Sequence, residues 1–125
     1  MKIAISISGK TLDSPFDARF GRATAFCIVD DESGEWQALD NPALSATGGA
    51  GVQAAQFVAK QGIGAAVSGA FGPNAFDTLA AANIEMYLAP GSQVHTAAEV
   101  LNMFKAGQLT QAETATHAGY HGGRR

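Results

Sequence analysis

Three short loops hold most of the residues that could do chemistry in this chain of 125 residues. The first loop, residues 11–23, is rich in Asp, Arg, Pro and Gly, and three of the chain's eight cations lie in or beside it. These cations are Lys10, Arg19 and Arg22. Arginines bind oxyanions through paired N–H groups, but Asp13 and Asp17 could instead pair with them in a solvated loop. The loop therefore predicts either an anion site or a surface ion-pair cluster.

Two glycine-rich loops each lead into a predicted helix. Gly48, Gly49 and Gly51 open one helix, and residues 69–74 open the next. Glycine lets a ligand approach the backbone, and the first turn of a helix carries N–H groups that lack intrahelical acceptors. Both features suit an anion; the alternative is a pair of tight turns that bind nothing.

Neither of the common nucleotide motifs is complete in these loops. The Ser-Gly-Lys-Thr run at residues 8–11 resembles the end of a P-loop, but Ala4 stands where that motif requires glycine. The glycine-rich segment at residues 49–54 follows a loop rather than a strand, and Gly69 occupies the place of the ribose-binding acid. The interpretation is therefore a glycine-rich helix entry and not a dinucleotide site.

Hydrophobic periodicity predicts five strands and three helices in the order β-β-β-α-β-α-β-α. The strands are expected at residues 3–7, 25–30, 35–39, 64–68 and 84–88. The helices are expected from about Val52, from Pro73 and after Ser92, which is a favoured N-cap residue type. Hairpins in the first half and crossover helices in the second predict an α/β fold with a five-stranded mixed sheet. Ligands of such sheets bind at the carboxyl ends of the strands, so the three loops are expected to form one site.

The domain is predicted to span residues 1–110, and residues 111–125 are predicted to be a flexible tail without Leu, Ile, Val or Phe. His117 and His121 have a spacing that could bind metal on a helix, but the glycines around them disfavour one, so no metal site is predicted. His95 is expected on the surface of the last helix's first turn.

Composition excludes several classes of protein. A hydrophobic content of 46% rules out disorder across the chain, and a net charge of −3 argues against binding nucleic acid non-specifically. The one cysteine, Cys27, cannot form an intrachain disulfide or a multi-cysteine metal site. No apolar run is long enough for a membrane span, so a cytoplasmic protein without nucleic-acid or membrane partners is expected.

The loops in this order resemble the dinitrogenase iron–molybdenum cofactor biosynthesis family. The matching stretches are residues 14–23, residues 47–55 and residues 64–88. The resemblance implies a ribonuclease H-like fold and a protein that binds or carries a metal–sulfur cluster without a reaction of its own. The small members of the family include one that holds a molybdenum–copper sulfide cluster non-covalently. Several relatives carry His or Cys near the glycine-rich entry, where this chain has Ala46 and Thr47, so capture of a whole anionic cluster is favoured over direct ligation of a metal.

The sequence thus predicts a non-enzymatic carrier of a molybdenum–copper sulfide cluster, or of a related molybdenum or iron–sulfur cluster, in a cationic glycine-rich pocket. The first strand offers Ser6 and Ser8 but no acid, which disfavours the two-metal chemistry of nucleases. The alternative is a regulatory or adaptor domain that acts through protein–protein contacts, and a protein partner in cofactor delivery fits either interpretation. The predicted cluster-binding residues are Lys10, Arg19, Phe20, Arg22, Gly48, Gly49, Gly51, Phe71, Gly72 and Asn74. Phe20 and Phe71 are expected to wall the pocket against water.

Overall fold

Six strands and three helices form the part of the chain that the structure, a computed structural model, describes: residues 1–90 and 95–115. In chain order they are β1 (Lys2–Ile7), β2 (Ala25–Asp30), β3 (Trp36–Asp40), α1 (Ala50–Ala59), β4 (Ala65–Ser68), α2 (Pro73–Ala81), β5 (Glu85–Leu88), α3 (Ala97–Lys105) and β6 (Thr110–Gln111). No helix among these residues is long and apolar enough to cross a membrane.

The strands form one mixed sheet in the order β3-β2-β1-β4-β5-β6. The central strands β1, β4 and β5 run parallel, and the remaining neighbours pair antiparallel. Helices α1 and α2 pack on one face around residues such as Ala4 and Phe26, and α3 packs on the other face around Ile3 and Ile5. Because β1 is covered on both faces, its apolar run is nearly continuous. The α/β class, the mixed sheet and the three helices are therefore confirmed.

The prediction of five strands was wrong, because a short sixth strand completes the sheet. Thr110 and Gln111 pair antiparallel with Leu88 and Tyr87, and the Ala112 N–H donates to the Met86 carbonyl oxygen at 2.8 Å. A strand of two residues is too short to show a hydrophobic period, so the sequence does not predict it. Its backbone hydrogen bonds with β5 keep it in the sheet. Packing continues past the predicted boundary at residue 110, since Ala112 is buried. The ribonuclease H-like class stays a prediction.

The last helix begins later than its predicted N-cap. Thr96 caps α3 in a capping box: its hydroxyl accepts from the Glu99 N–H at 3.2 Å, and the Glu99 carboxylate accepts from the Thr96 N–H at 2.7 Å. His95 therefore precedes the helix and does not lie in its first turn. Ser92, the predicted cap, lies outside the described residues, as do His117 and His121.

Candidate functional site

The three predicted loops meet at the carboxyl ends of β1 and β4, and small residues make the meeting possible. A Cβ atom on Gly69 would lie 2.5 Å from the Ala18 Cβ, and one on Gly21 would lie 3.2 Å from the Gly51 Cα. A Cβ on Gly51 would in turn contact the Ala75 Cβ at 3.4 Å. The first loop therefore packs directly on the other two, and any side chain at Gly69 would force it away.

Two helix N-termini lie side by side at this junction, because Gly51 in the first turn of α1 packs on Ala75 in the first turn of α2. Both helices have a glycine N-cap, and within the described residues no side chain caps either one and neither first turn contains an acid. Gly49 has φ 71°, a left-handed conformation that favours glycine. The partial positive charges of the α1 and α2 N-termini therefore add up at the same surface.

The first intrahelical bonds leave the earlier N–H groups of both helices without intrahelical acceptors. The Gln53 N–H donates to the Gly49 carbonyl oxygen at 3.0 Å, and the Phe76 N–H donates to the Gly72 carbonyl oxygen at 2.9 Å. The N–H groups between these positions point out of the two N-termini. The predicted residues Gly48, Gly49 and Asn74 are exposed, and Gly51 and Gly72 are half-buried, so a ligand in solvent can approach the two N-termini. Ala50 and Ala75, which also carry N–H groups of these first turns, are buried.

Arg19 forms an ion pair with the buried carboxylate of Asp17, although its own side chain is 67% exposed. Its Nε and Nη2 atoms each donate to a carboxylate oxygen of Asp17 at 3.1 Å, and its backbone N–H donates to the same carboxylate at 2.9 Å. Burial tends to raise the pKa of Asp17, but the bonds from Arg19 and from the Ser8 hydroxyl outweigh burial and lower it. Arg19 therefore has the partner that the ion-pair interpretation expects, and the carboxylate of Asp17 offsets part of its charge.

The other two cations have different neighbours. Arg22 is exposed, and its Nη1 atom donates to the carbonyl oxygen of Ala46, just before the glycine entry of α1. Lys10 pairs with Asp40 at 2.6 Å, at the end of β3. The guanidinium of Arg22 therefore lies against the glycine-rich entry, while the structure places the Lys10 ammonium on a carboxylate at the sheet edge.

Phe20 and Phe71 support the loops from below instead of lining an open pocket. Phe20 is 3% exposed and Phe71 is 0% exposed, and their ring centroids lie 5.2 Å apart. Phe26 packs against Phe20 at 5.1 Å, so the three rings form a core beneath the two helix N-termini. Their packing can hold the loops in place, but burial keeps both predicted rings from a ligand at the surface.

Two buried polar groups that the sequence analysis did not select hold the first loop. The Asn41 side-chain amide donates to the carbonyl oxygens of Gly21 and Ala23 at 3.2 and 2.9 Å, and its own oxygen accepts from the Ala43 N–H at 2.9 Å. The Ser6 hydroxyl donates to the Asp17 carbonyl oxygen at 2.6 Å. A signal for Asn41 was its place before Pro42, where Asn commonly starts a turn.

The family can now be assigned. A family model described as dinitrogenase iron-molybdenum cofactor matches residues 1–107. The chain belongs to this family. No curated protein matches the chain. The resemblance that the loops indicate is confirmed, and the match covers β1 to β5, the three helices and all three loops.

Several solved structures are similar to this chain over nearly their whole length. The apo form of the orange protein from Desulfovibrio gigas is 34% identical, with a TM-score of 0.86 over 93% of this chain and 95% of that one. A candidate NifB protein from Thermotoga is 32% identical, with a TM-score of 0.80 over 94% of this chain and 98% of that one. A Methanocaldococcus jannaschii structure at 18% identity and TM-score 0.66, covering 91% of this chain and 96% of that one, shares the fold.

Proposed function

We propose that this chain binds and carries an anionic, molybdenum-containing metal–sulfide cluster, held non-covalently where the first turns of α1 and α2 meet. It does so in the cytoplasm and without catalysing a reaction. The cluster is a molybdenum–copper sulfide or a related molybdenum or iron–sulfur cluster. The family name and the similarity to the orange protein support a cluster as cargo.

The observation that carries the proposal is the pair of adjacent helix N-termini with glycine caps. A helix start is ordinarily stabilised by a Ser, Asp or Asn cap, or by an acid in the first turn. Neither a capping side chain nor an acid in the first turn is found in α1 or α2. Any cap side chain would occupy the N–H groups that a bound anion needs.

Within residues 1–90 and 95–115, no three His, Cys, Asp or Glu side chains are grouped so that they could hold a metal ion. A cluster that brings its own sulfides needs N–H donors and positive charge from the protein, and this surface has both.

The arginines have separate roles in this proposal. Arg22 supplies net positive charge beside the α1 entry, because its Nη1 atom donates to the neutral carbonyl of Ala46 and not to a carboxylate. Arg19 and Asp17 fix the first loop against Ser8, so that Gly21 stays packed on Gly51. Lys10 adds only long-range attraction, since its ammonium is paired with Asp40.

Replacing Arg22 with glutamate should reduce retained cluster by about tenfold or more, because a charge-assisted contact is lost and a like charge is added. Protein is mixed with tetrathiomolybdate and copper and then desalted. Visible absorption and the bound molybdenum and copper are then measured. Raising the salt concentration should weaken retention by the native chain as well.

Lys60→Glu is the matched control, because it makes the same charge change at the opposite end of α1. It should retain the cluster within about twofold of the native chain, since the added charge is far from the helix starts. Equal losses in both variants would show non-specific attraction, and undiminished retention by Arg22→Glu would contradict the proposed site.

Cys27→Ala should leave the retained cluster and its visible spectrum unchanged, at a cost of about 1 kcal/mol in stability. Cys27 is fully buried in β2, and burial raises the pKa of its thiol to about 11, so very little thiolate exists at neutral pH. The measurement is the spectrum and metal content of the reconstituted variant. Loss of colour in a variant that is still folded would make Cys27 a ligand.

A further inference from the structure

The outer edge of β3 is an unpaired strand edge in the part of the chain that the structure describes. β3 ends the strand order, and its partner β2 lies on one side only. The Asp30 N–H donates to the Glu35 carbonyl oxygen at 2.9 Å, and the Asn41 N–H donates to the Thr24 carbonyl oxygen at 3.1 Å. Antiparallel pairing alternates, so Gln37 and Leu39 also face β2, while Trp36, Ala38 and Asp40 direct their backbone groups outward.

Several features that usually protect a strand edge from pairing are missing from β3. Its five residues include no Lys, Pro or Gly, and the antiparallel register with β2 runs without a bulge. Trp36, the single tryptophan of the chain, is 41% exposed. Next to it opens a cavity of about 240 Å³, lined by Lys2, Ile28, Asp30, Glu35, Trp36 and Gln37. The edge thus combines free backbone groups, an exposed aromatic residue and a recess for a side chain.

The electrostatics of this edge are acidic. The hairpin between β2 and β3 places four carboxylates within six residues: Asp30, Asp31, Glu32 and Glu35. The backbone N–H groups of Glu32 and Ser33 lower the pKa of Asp30, which keeps that carboxylate ionised. Two cations offset part of this charge, because Lys2 lines the cavity and the Met1 ammonium lies 2.9 Å from Asp31 and 3.9 Å from Asp30. Glu32 and Glu35 form no ion pair within the described residues and carry the net negative charge of the hairpin. Asp40 adds a further carboxylate at the other end of the strand, paired with Lys10.

We propose that β3 is a docking edge for an extended, basic segment of a partner protein. The segment adds to the sheet as a further strand and hydrogen-bonds with the outward backbone groups of Trp36, Ala38 and Asp40. One of its Lys or Arg side chains enters the cavity beside Glu35. Strand addition supplies affinity through the main chain, and the cavity supplies selectivity for a basic side chain. A second copy of this chain fits less well, because its own β3 would bring an acidic strand without cations to an acidic edge. The surface lies on the sheet edge, apart from the two helix N-termini, and does not depend on the cluster.

The test uses a blocked Lys-Val-Lys-Val-Lys-Val peptide and a matched Glu-Val peptide of the same length. Binding is followed by tryptophan fluorescence and by the NMR shifts of the Trp36, Ala38 and Asp40 amides. The basic peptide should shift these three signals in a saturable manner, and the acidic peptide should bind about tenfold more weakly or not at all. Ala38→Pro should weaken the basic peptide about tenfold, because it removes an outward N–H and leaves the bonds to β2 in place.

Glu35→Lys should also weaken the basic peptide about tenfold, and it tests the edge independently if the proline variant fails to fold. Asp77→Lys, which makes the same charge change on the exposed face of α2, is the matched control and should bind like the native chain. Absence of saturable shifts, or equal binding of the basic and acidic peptides, would overturn the proposal. So would a dimer in sedimentation that Ala38→Pro abolishes, because it would assign the edge to a second copy.

Discussion

Replacing Gly72 with aspartate should stabilise the protein by about 0.5–1 kcal/mol and lower cluster retention by about tenfold or more. Gly72 is the N-cap of α2, with φ −66° and ψ 168°, an extended conformation that any residue adopts. A Cβ there would meet nothing within 4 Å. Aspartate can therefore cap the helix, but its carboxylate then occupies the N–H groups and repels an anion. A helix start kept free for a ligand predicts these opposite effects on stability and binding.

The measurement pairs urea unfolding with molybdenum retention after reconstitution. Gly72→Asn is the control of equal size, because it can cap without a charge; it should stabilise slightly less and retain clearly more cluster than the aspartate variant. If Gly72→Asp carries as much cluster as the native chain, the α2 N-terminus is not part of the site. If both variants lose the cluster equally, blocked N–H groups matter more than charge.

Replacing Gly69 with alanine should destabilise the protein by about 1–3 kcal/mol and reduce cluster retention even where the variant is folded. The new Cβ would lie 2.5 Å from the Ala18 Cβ and 2.8 Å from the Ala18 Cα. Backbone must move to relieve this contact, because Ala18 has no flexible side chain to turn away. The Ala18 carbonyl oxygen also accepts a hydrogen bond from the Gly69 N–H at 3.1 Å. Because Ala18 directly precedes Arg19, its displacement should move the first loop away from the helix N-termini.

Gly72→Ala is the matched control for this variant, since it adds the same methyl group in the same loop and meets open space. Its stability should stay within about 0.5 kcal/mol of the native chain. Urea unfolding of both variants gives the comparison, and NMR shifts of the Arg19 and Gly21 amides report the loop movement. A Gly69→Ala variant as stable as Gly72→Ala would contradict the prediction, because it would show that the first loop moves with no loss in the free energy of unfolding.

The sequence could predict the elements whose pattern is local. Apolar periodicity predicts β1 to β5. The three- and four-residue spacing of Val52, Ala55, Val58 and Ala59 predicts α1, although the helix begins at Ala50. The capping box of α3 was also present in the sequence, as Thr96 followed three positions later by Glu99. Ser92, which follows Pro90 and Gly91, is an N-cap residue type that gives a local signal of similar strength. β6 had no such pattern, because its two residues are held by β5 and not by their own side chains.

Local signals are enough to predict the α/β class, the three loops and the glycine-led starts of α1 and α2, since strand periods, helix periods and turn residues act over a few positions. The use of the polar and aromatic groups in the loops depends instead on how the chain folds. Contact between Gly51 and Ala75 joins the two helix starts, and the carboxylate of Asp17 occupies Arg19 and leaves Arg22 beside the α1 entry. Phe20 and Phe71 became core residues because the sheet and both helices close over them. These outcomes depend on contacts between residues far apart in the chain, and local preferences carry no information about which distant groups will meet.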